Sequence, residues 1–208
     1  MTRQKQAGFT IVELMIALTI LSVILLLSTL TLSQLGKLFS KGVNQANTQN
    51  IARNLMTSIS SDIQVGSNMP QHKSVSGSET VCMGATRYTF LRAQPLDATH
   101  PHVLWRDSMK TADVCTPFDL TAYADLNTAP DAVDKSGVEL LGNNMEVTDL
   151  DTGKLDDRTW FVTVTIAYGG DLVVYNKIAD TTNCQSVKGN QFCAVASLKK
   201  TVTRRLAN

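Results

Sequence analysis

Glu13 is the residue whose surroundings most invite chemistry. It sits in Gly8-Phe9-Thr10-Ile11-Val12-Glu13-Leu14-Met15, at the head of a stretch from Leu14 to Gly36 in which no side chain carries a formal charge. At 1.5 Å per residue that stretch makes a helix of roughly 35 Å, enough to cross a hydrocarbon core of about 30 Å. Carrying a carboxylate to the middle of a bilayer costs about 2.5 to 3.5 kcal/mol, so Glu13 needs a partner. The flank supplies a candidate. A secretory signal places its small-residue cleavage site after the apolar run, whereas here a short polar leader, Met1 to Gly8 with Arg3 and Lys5, comes before it. A cut between Gly8 and Phe9 would discard the leader, keep the whole apolar helix and create an α-amine on Phe9, one helical turn from Glu13. Such an amine titrates near 8 and is largely cationic at neutral pH. Opposite unit charges 4 Å apart at an effective dielectric of 20 attract by about 4 kcal/mol, the same order as the cost of the acid in lipid.

At these residues the chain resembles the type IV pilin family, which includes the pseudopilins of type II secretion. The resemblance implies that a prepilin peptidase cuts after Gly8, that the new terminal Phe9 is N-methylated, and that Glu13 aligns incoming subunits in a helical filament. It further implies other pilin subunits and an assembly platform as partners, with the cytoplasmic membrane holding the subunit beforehand. Many major pilins carry a proline within the membrane helix. Here no proline precedes Pro70, Leu30 stands about where it is expected, and the chain is 208 residues long. Both features favour a minor pilin or a pseudopilin. More loosely, Arg53 to Asp62 and the aromatic stretch ending Leu104-Trp105-Arg106 look like larger minor subunits found at filament tips.

The expected organisation is a leader at 1–8, a long helix at 9–66 with its membrane segment at about 14–36, and an exported domain at 67–208. About 140 residues follow the helix, enough for one core. The 19 basic and 18 acidic side chains give a net charge of +1, and loss of Arg3 and Lys5 with the leader makes it −1. That balance sets up no basic field for nucleic acid. Arg3 and Lys5 face Lys37 and Lys41 across the apolar run, so the positive-inside rule nearly ties. Cysteine usage helps with the orientation. Cys82, Cys115, Cys184 and Cys193 all follow the anchor, and none forms a CxxC pair suited to zinc or redox work, which fits an oxidising compartment. The amino terminus is therefore expected inside and the carboxy-terminal domain outside, later on a surface filament or pseudopilus. Four cysteines allow three pairings, of which the simplest joins Cys82 to Cys115 and Cys184 to Cys193. In the chain-entropy model these rings contribute roughly 3.8 and 2.7 kcal/mol. Many pilins close a carboxy-terminal loop with a disulfide, in agreement.

The elements that must carry these residues follow from periodicity. Ala52, Leu55, Met56, Ile59 and Ile63 recur at offsets of three and four, so the helix continues past the membrane with one face meant for a sheet. Leu35, Leu38, Phe39, Val43 and Ala46 form a comparable stripe, interrupted by Gly36 and Gly42, which are either flexible points or sites of close packing. Gly66, Ser67, Asn68 and Pro70 stop the helix. Arg87–Arg92 and His102–Arg106 read as a hairpin with a long connection. Trp160–Tyr168 alternates cleanly, with Trp160, Val162, Val164, Ile166 and Tyr168 on one face, and Gly169-Gly170 permits a tight turn into Leu172–Tyr175, so Trp160–Tyr175 is expected to form a hairpin. Asn144–Leu150 and Val195–Leu206 complete the strands, the last with a short helix as its alternative. The fold class expected is α+β, a long amino-terminal helix packed on a mainly antiparallel sheet.

Other constellations are weaker. Asp149, Asp151, Asp156 and Asp157 crowd what reads as a loop, and calcium prefers several such oxygens. The spacing departs from the EF-hand pattern, with Gly153 one place early and no terminal glutamate, and an acidic turn between strands is the simpler reading. No other cofactor is expected. His100-Pro101-His102 lies in a proline-marked loop without an evident third ligand. Lys199, Lys200, Arg204 and Arg205 would divide between two faces of a strand, which argues for a guarded sheet edge over a nucleic-acid stripe. There is no Gly-x-Ser-x-Gly, phosphate-binding glycine loop or dinucleotide fingerprint, so the chain reads as non-enzymatic. The alternative from another class is a single-pass anchored binding module or adhesin that never enters a filament.

Overall fold

One helix, α1 (Ile11–Val65), precedes the strands in a computed structural model that describes residues 9–110, 114–123, 125–126, 129, 133–176, 179, 181–185 and 192–205. The chain divides into two units, residues 1–40 and 41–208. In the first, every described residue from Phe9 to Phe39 is exposed. This part of α1 is long and apolar enough to cross a membrane. A helix that is apolar all round and exposed along its described length has to find lipid or other helices.

In the second unit the rest of α1 is amphipathic in the register that its sequence predicts: Ala52, Leu55, Met56, Ile59 and Ile63 are all buried. Thr48 and Ser60 are buried with them, and their hydroxyls bond back to the carbonyls of Asn44 and Met56 at 2.8 and 2.6 Å. Gly36 and Gly42 each have open space where a Cβ would stand, so neither is required by close packing within the chain.

A five-stranded antiparallel sheet has the order β1 (Gln71–Val75), β2 (Ser78–Met83), β3 (Thr86–Leu91), β4 (Leu104–Ser108), β5 (Val138–Glu139). A three-stranded one runs β10 (Ala194–Thr203), β7 (Thr159–Tyr168), β6 (Met145–Lys154), and β8 (Val173–Asn176) pairs with β9 (Thr181–Cys184). The buried stripe of α1 shares one core with Val81, Tyr88, Phe90 and Leu104 of the first sheet and with Val147, Leu150, Trp160, Val162, Val164, Ile166 and Val202 of the second. A polar tie reinforces the contact. Asp62 of α1 accepts from Tyr88 Oη at 2.6 Å and from Arg106 at 3.3 Å. Burial first, then this carboxylate, pushes the Tyr88 phenol well above its ordinary value.

The other face of the five-stranded sheet is covered by the segment after β4, where Phe118, Leu120, Leu126, Ala129 and Val133 pack on Leu91 and Trp105. A fully buried ion pair lies beneath it. Arg87 grips Asp107 with Nε and Nη2, donates from Nη1 to the Thr116 carbonyl at 2.6 Å and lies 4.8 Å from the centre of the Phe118 ring. Asp107 in turn accepts the Asp134 amide at 3.2 Å. The Cys82–Cys115 disulfide ties the same covering segment to β2.

The α+β architecture is pilin-like, and the predicted β3–β4 pairing, β6, β7 and β10 are present, the last as a strand and not a helix. One expectation fails. The run Trp160–Tyr175 is not a hairpin: β7 pairs with β6 along one edge and with β10 along the other, leaving β8 no edge to join. Gly169 and Gly170 do adopt positive φ (134° and 51°), but a 3₁₀ turn, Gly170–Leu172, carries the chain away to pair with β9. The β1–β2 hairpin was not legible. β1 and the start of β2 are polar, and the Ser76-Gly77 turn, with φ of 47° and 88°, carries the recognisable signal.

Candidate functional site

The start of α1 is built from two side chains three residues apart. Thr10 stands just before the first helical residue, and its carbonyl accepts the Leu14 amide at 3.2 Å, the first bond of the helical ladder. Its hydroxyl accepts from the Glu13 amide at 3.2 Å and donates to Glu13 Oε2 at 3.0 Å, while the same carboxylate oxygen accepts the Thr10 amide at 3.0 Å. This is a reciprocal capping box, in which two otherwise orphaned backbone donors find side-chain acceptors. The helix dipole adds to the preference for a negative charge in this first turn. Thr10 was not singled out from the sequence, although Thr-x-x-Glu before an apolar run is the pattern that marks such a box.

Phe9, immediately before the cap, is 83 % exposed. Gly8 lies outside the described residues, and so does the rest of the leader. Behind the cap, hydroxyls that would be costly in lipid are satisfied locally: Thr19 donates to the Ile16 carbonyl at 2.8 Å, Ser22 to Leu18 at 2.7 Å, Ser28 to Ile24 at 2.8 Å and Thr31 to Leu27 at 2.9 Å. The apolar surface is thus free of unpaired donors at these positions, and Glu13 is the group that offers charge.

The remaining sequence candidates fall elsewhere. The cysteines form Cys82–Cys115 and Cys184–Cys193. The four aspartates do not share a loop. Asp149 and Asp151 lie within β6, and Asp149 accepts from Arg92 at 3.3 Å. Asp151 is 3.8 Å from His72. Asp156 caps the β6–β7 turn by accepting the Arg158 and Thr159 amides at 2.9 and 2.7 Å, and Asp157 pairs with Lys154 at 2.8 Å. Hydrogen bonds to these amides hold Asp156 below the usual carboxylate range. Among the described residues no group of three or more His, Cys, Asp or Glu is placed to hold a metal ion. His102 packs edge-on against Trp105 with ring centres 5.2 Å apart, and His100 sits 3.6 Å from Asp97, so the two histidines have separate settings.

A buried acid escaped notice in the sequence. Glu146 of β6, only 4 % exposed, faces Ala167 across the ladder, and burial pushes its carboxyl up to about 7. It follows Met145 in a strand that reads as ordinary alternation, so the residue order gives no hint that this position is covered.

No curated protein and no solved structure matches the chain at a significant level. Residues 3–29 match the family model of the prokaryotic N-terminal methylation motif. That match takes in the leader, Phe9, the Thr10–Glu13 box and much of the exposed apolar helix, and it implies processing by a prepilin peptidase and assembly with other pilins. The chain carries the type IV prepilin-like signal.

Proposed function

We propose that the chain is a minor prepilin or pseudopilin, cut between Gly8 and Phe9 and built into a type IV filament or a secretion pseudopilus. The observation that carries this reading is the pairing of a capped carboxylate, Glu13, with an apolar helix long enough to cross a membrane and exposed from Phe9 to Phe39. Cleavage would place an amine at the residue before the cap, and the Glu13 carboxylate of a neighbouring subunit is its natural counter-charge in a low-dielectric core. The apolar helices then pack the filament interior, and the β domain, with its two disulfides, faces outward. In this role the protein is structural, and its machinery is the helix start.

Glu13→Ala should leave the protein expressed and membrane-bound, yet largely absent from filaments sheared from the cells. Mass spectrometry of the mature terminus should show a methylated Phe9. Equal incorporation of the variant would remove the charge-pair mechanism, and an intact leader on the native polypeptide would remove the whole assignment.

A further inference from the structure

A cleft of about 750 Å³ opens beside the β1–β2 turn, between Ser74, Gly77, Glu79, Arg92 and Tyr175. Its base is a planar ion pair. Arg92 donates from Nε to Glu79 Oε1 at 2.7 Å and from Nη2 to Oε2 at 2.8 Å. Nη1 is spent on the Thr148 carbonyl at 2.9 Å, with Asp149 at 3.3 Å and Tyr175 Oη at 3.4 Å beyond it. The guanidinium is further held between two aromatic rings, 5.8 Å from the centre of Phe90 and 6.0 Å from that of Tyr175. The pair is therefore rigid before any ligand arrives, which lowers the ordering cost of binding.

Counting hydrogen-bonding capacity identifies what this base can still do. A guanidinium has five N–H donors and a carboxylate about four lone-pair sites. One Nη2 hydrogen and about two carboxylate sites remain after the bonds above. Both side chains keep some solvent contact, 23 % for Arg92 and 36 % for Glu79. One donor beside two acceptors complements a pair of adjacent hydroxyls, each of which can donate and accept. The half-buried Tyr175 ring offers a flat apolar wall, and the exposed Ser74 adds a hydroxyl at the rim. Glu79 and Asp149 together outweigh Arg92, so an anion meets net negative charge. The charged pair at its base likewise disfavours an alkyl chain.

We propose that this cleft binds a neutral saccharide, with two adjacent ring hydroxyls on the Glu79–Arg92 pair and the apolar sugar face against Tyr175. Gly77, at φ +88°, supplies the left-handed backbone of the β1–β2 turn at the rim of the cleft. The inference stands apart from filament assembly, since none of these residues belongs to α1.

The test is saturation-transfer NMR on the full chain in micelles of a zwitterionic detergent without a sugar head group. The probes are maltotetraose and chitotetraose, glucose as the free monosaccharide, and tetragalacturonate and the glucosamine tetramer as charged controls. Transfer to a neutral sugar is expected, to fall at least about fivefold in Tyr175→Ala and in Ser74→Trp. Ser74→Trp blocks the cleft from an exposed strand position and spares the ion pair, so a folding defect in Tyr175→Ala does not decide the result. A tetrasaccharide signal without glucose assigns the site to a polymer, and a glucose signal of equal strength to a free sugar; either supports the proposal. No transfer to any neutral probe, transfer only to a charged one, or a signal that survives both substitutions would overturn it.

Discussion

The Thr10 hydroxyl and the Glu13 carboxylate meet at 3.0 Å, and the Glu13 amide returns the contact to the same hydroxyl at 3.2 Å. The side chain proposed to offer charge for assembly therefore also caps the start of the helix. A carboxylate tethered in this way is held in one orientation, so in the proposed assembly an arriving amine would meet it already placed.

Thr10→Val should test that coupling. It removes the hydroxyl but keeps the branched shape, and losing such a cap costs about 0.5–2 kcal/mol. Amide exchange of Glu13 and Leu14 in micelles should accelerate roughly in proportion, up to tenfold or more, while Thr10→Ser behaves as the parent. Unchanged exchange in Thr10→Val would mean that the box contributes nothing to the helix start.

The Arg87–Asp107 pair is a different kind of device, because both side chains are fully buried. Asp107→Ala strands a charged guanidinium and releases the Asp134 amide, and breaking a buried pair from one side costs about 3–5 kcal/mol. Urea unfolding with disulfides intact should show that loss. The double variant Arg87→Met/Asp107→Leu should recover most of it, since apolar replacement removes the stranded charge. A single variant as stable as the parent would show that the covering segment does not depend on this pair.

What was readable in the residues follows their physics. Repeats at three and four gave the buried stripe Ala52–Ile63, and strict alternation gave both faces of β7, because each pattern is local. The β7–β8 connection was misread because Gly169-Gly170 reports a turn but not which edge is free, and β7's edges are claimed by strands distant in the chain. Glu13 was legible as an oddity in an apolar run. Its partner Thr10 is encoded too, through Thr-x-x-Glu, a pattern that is weaker than an isolated charge in an apolar run. The cleft at Arg92 was hidden, since Ser74, Glu79 and Tyr175 come from β1, β2 and β8 and Arg92 from just after β3, and only tertiary pairing brings them together.

The Cys184–Cys193 bridge closes a short ring next to β10, with Cys193 adjoining its first residue. In the chain-entropy model its removal by serine at both positions costs roughly 2.7 kcal/mol. The β8–β9 pair should suffer most, because it makes its own two-stranded sheet and such a ribbon is marginal alone. Amides of Thr181–Cys184 should lose exchange protection before those of β7. Simultaneous loss in both places would show that the bridge stabilises the whole second unit instead.

Glu146 sets a pH dependence whose sign can be worked out. In the unfolded chain its carboxyl releases its proton near 4.5, while in the folded protein burial holds the proton until about 7. Between those values the folded state binds more protons, so this residue's contribution to stability falls as pH rises, and the penalty is complete above the folded value. The gap caps the effect at roughly 3 kcal/mol, and residual solvent at the carboxylate brings the expectation to about 1–2 kcal/mol. Aspartates held low by hydrogen bonds, Asp134 and Asp156 among them, push the opposite way at acid pH. The informative quantity is therefore the difference between Glu146→Gln and the parent. Urea midpoints at pH 4, 6 and 8 should show the variant gaining progressively on the parent, with its largest advantage at pH 8. A difference that stays flat across the three pH values would mean that Glu146 ionises in the folded protein as it does in the unfolded chain.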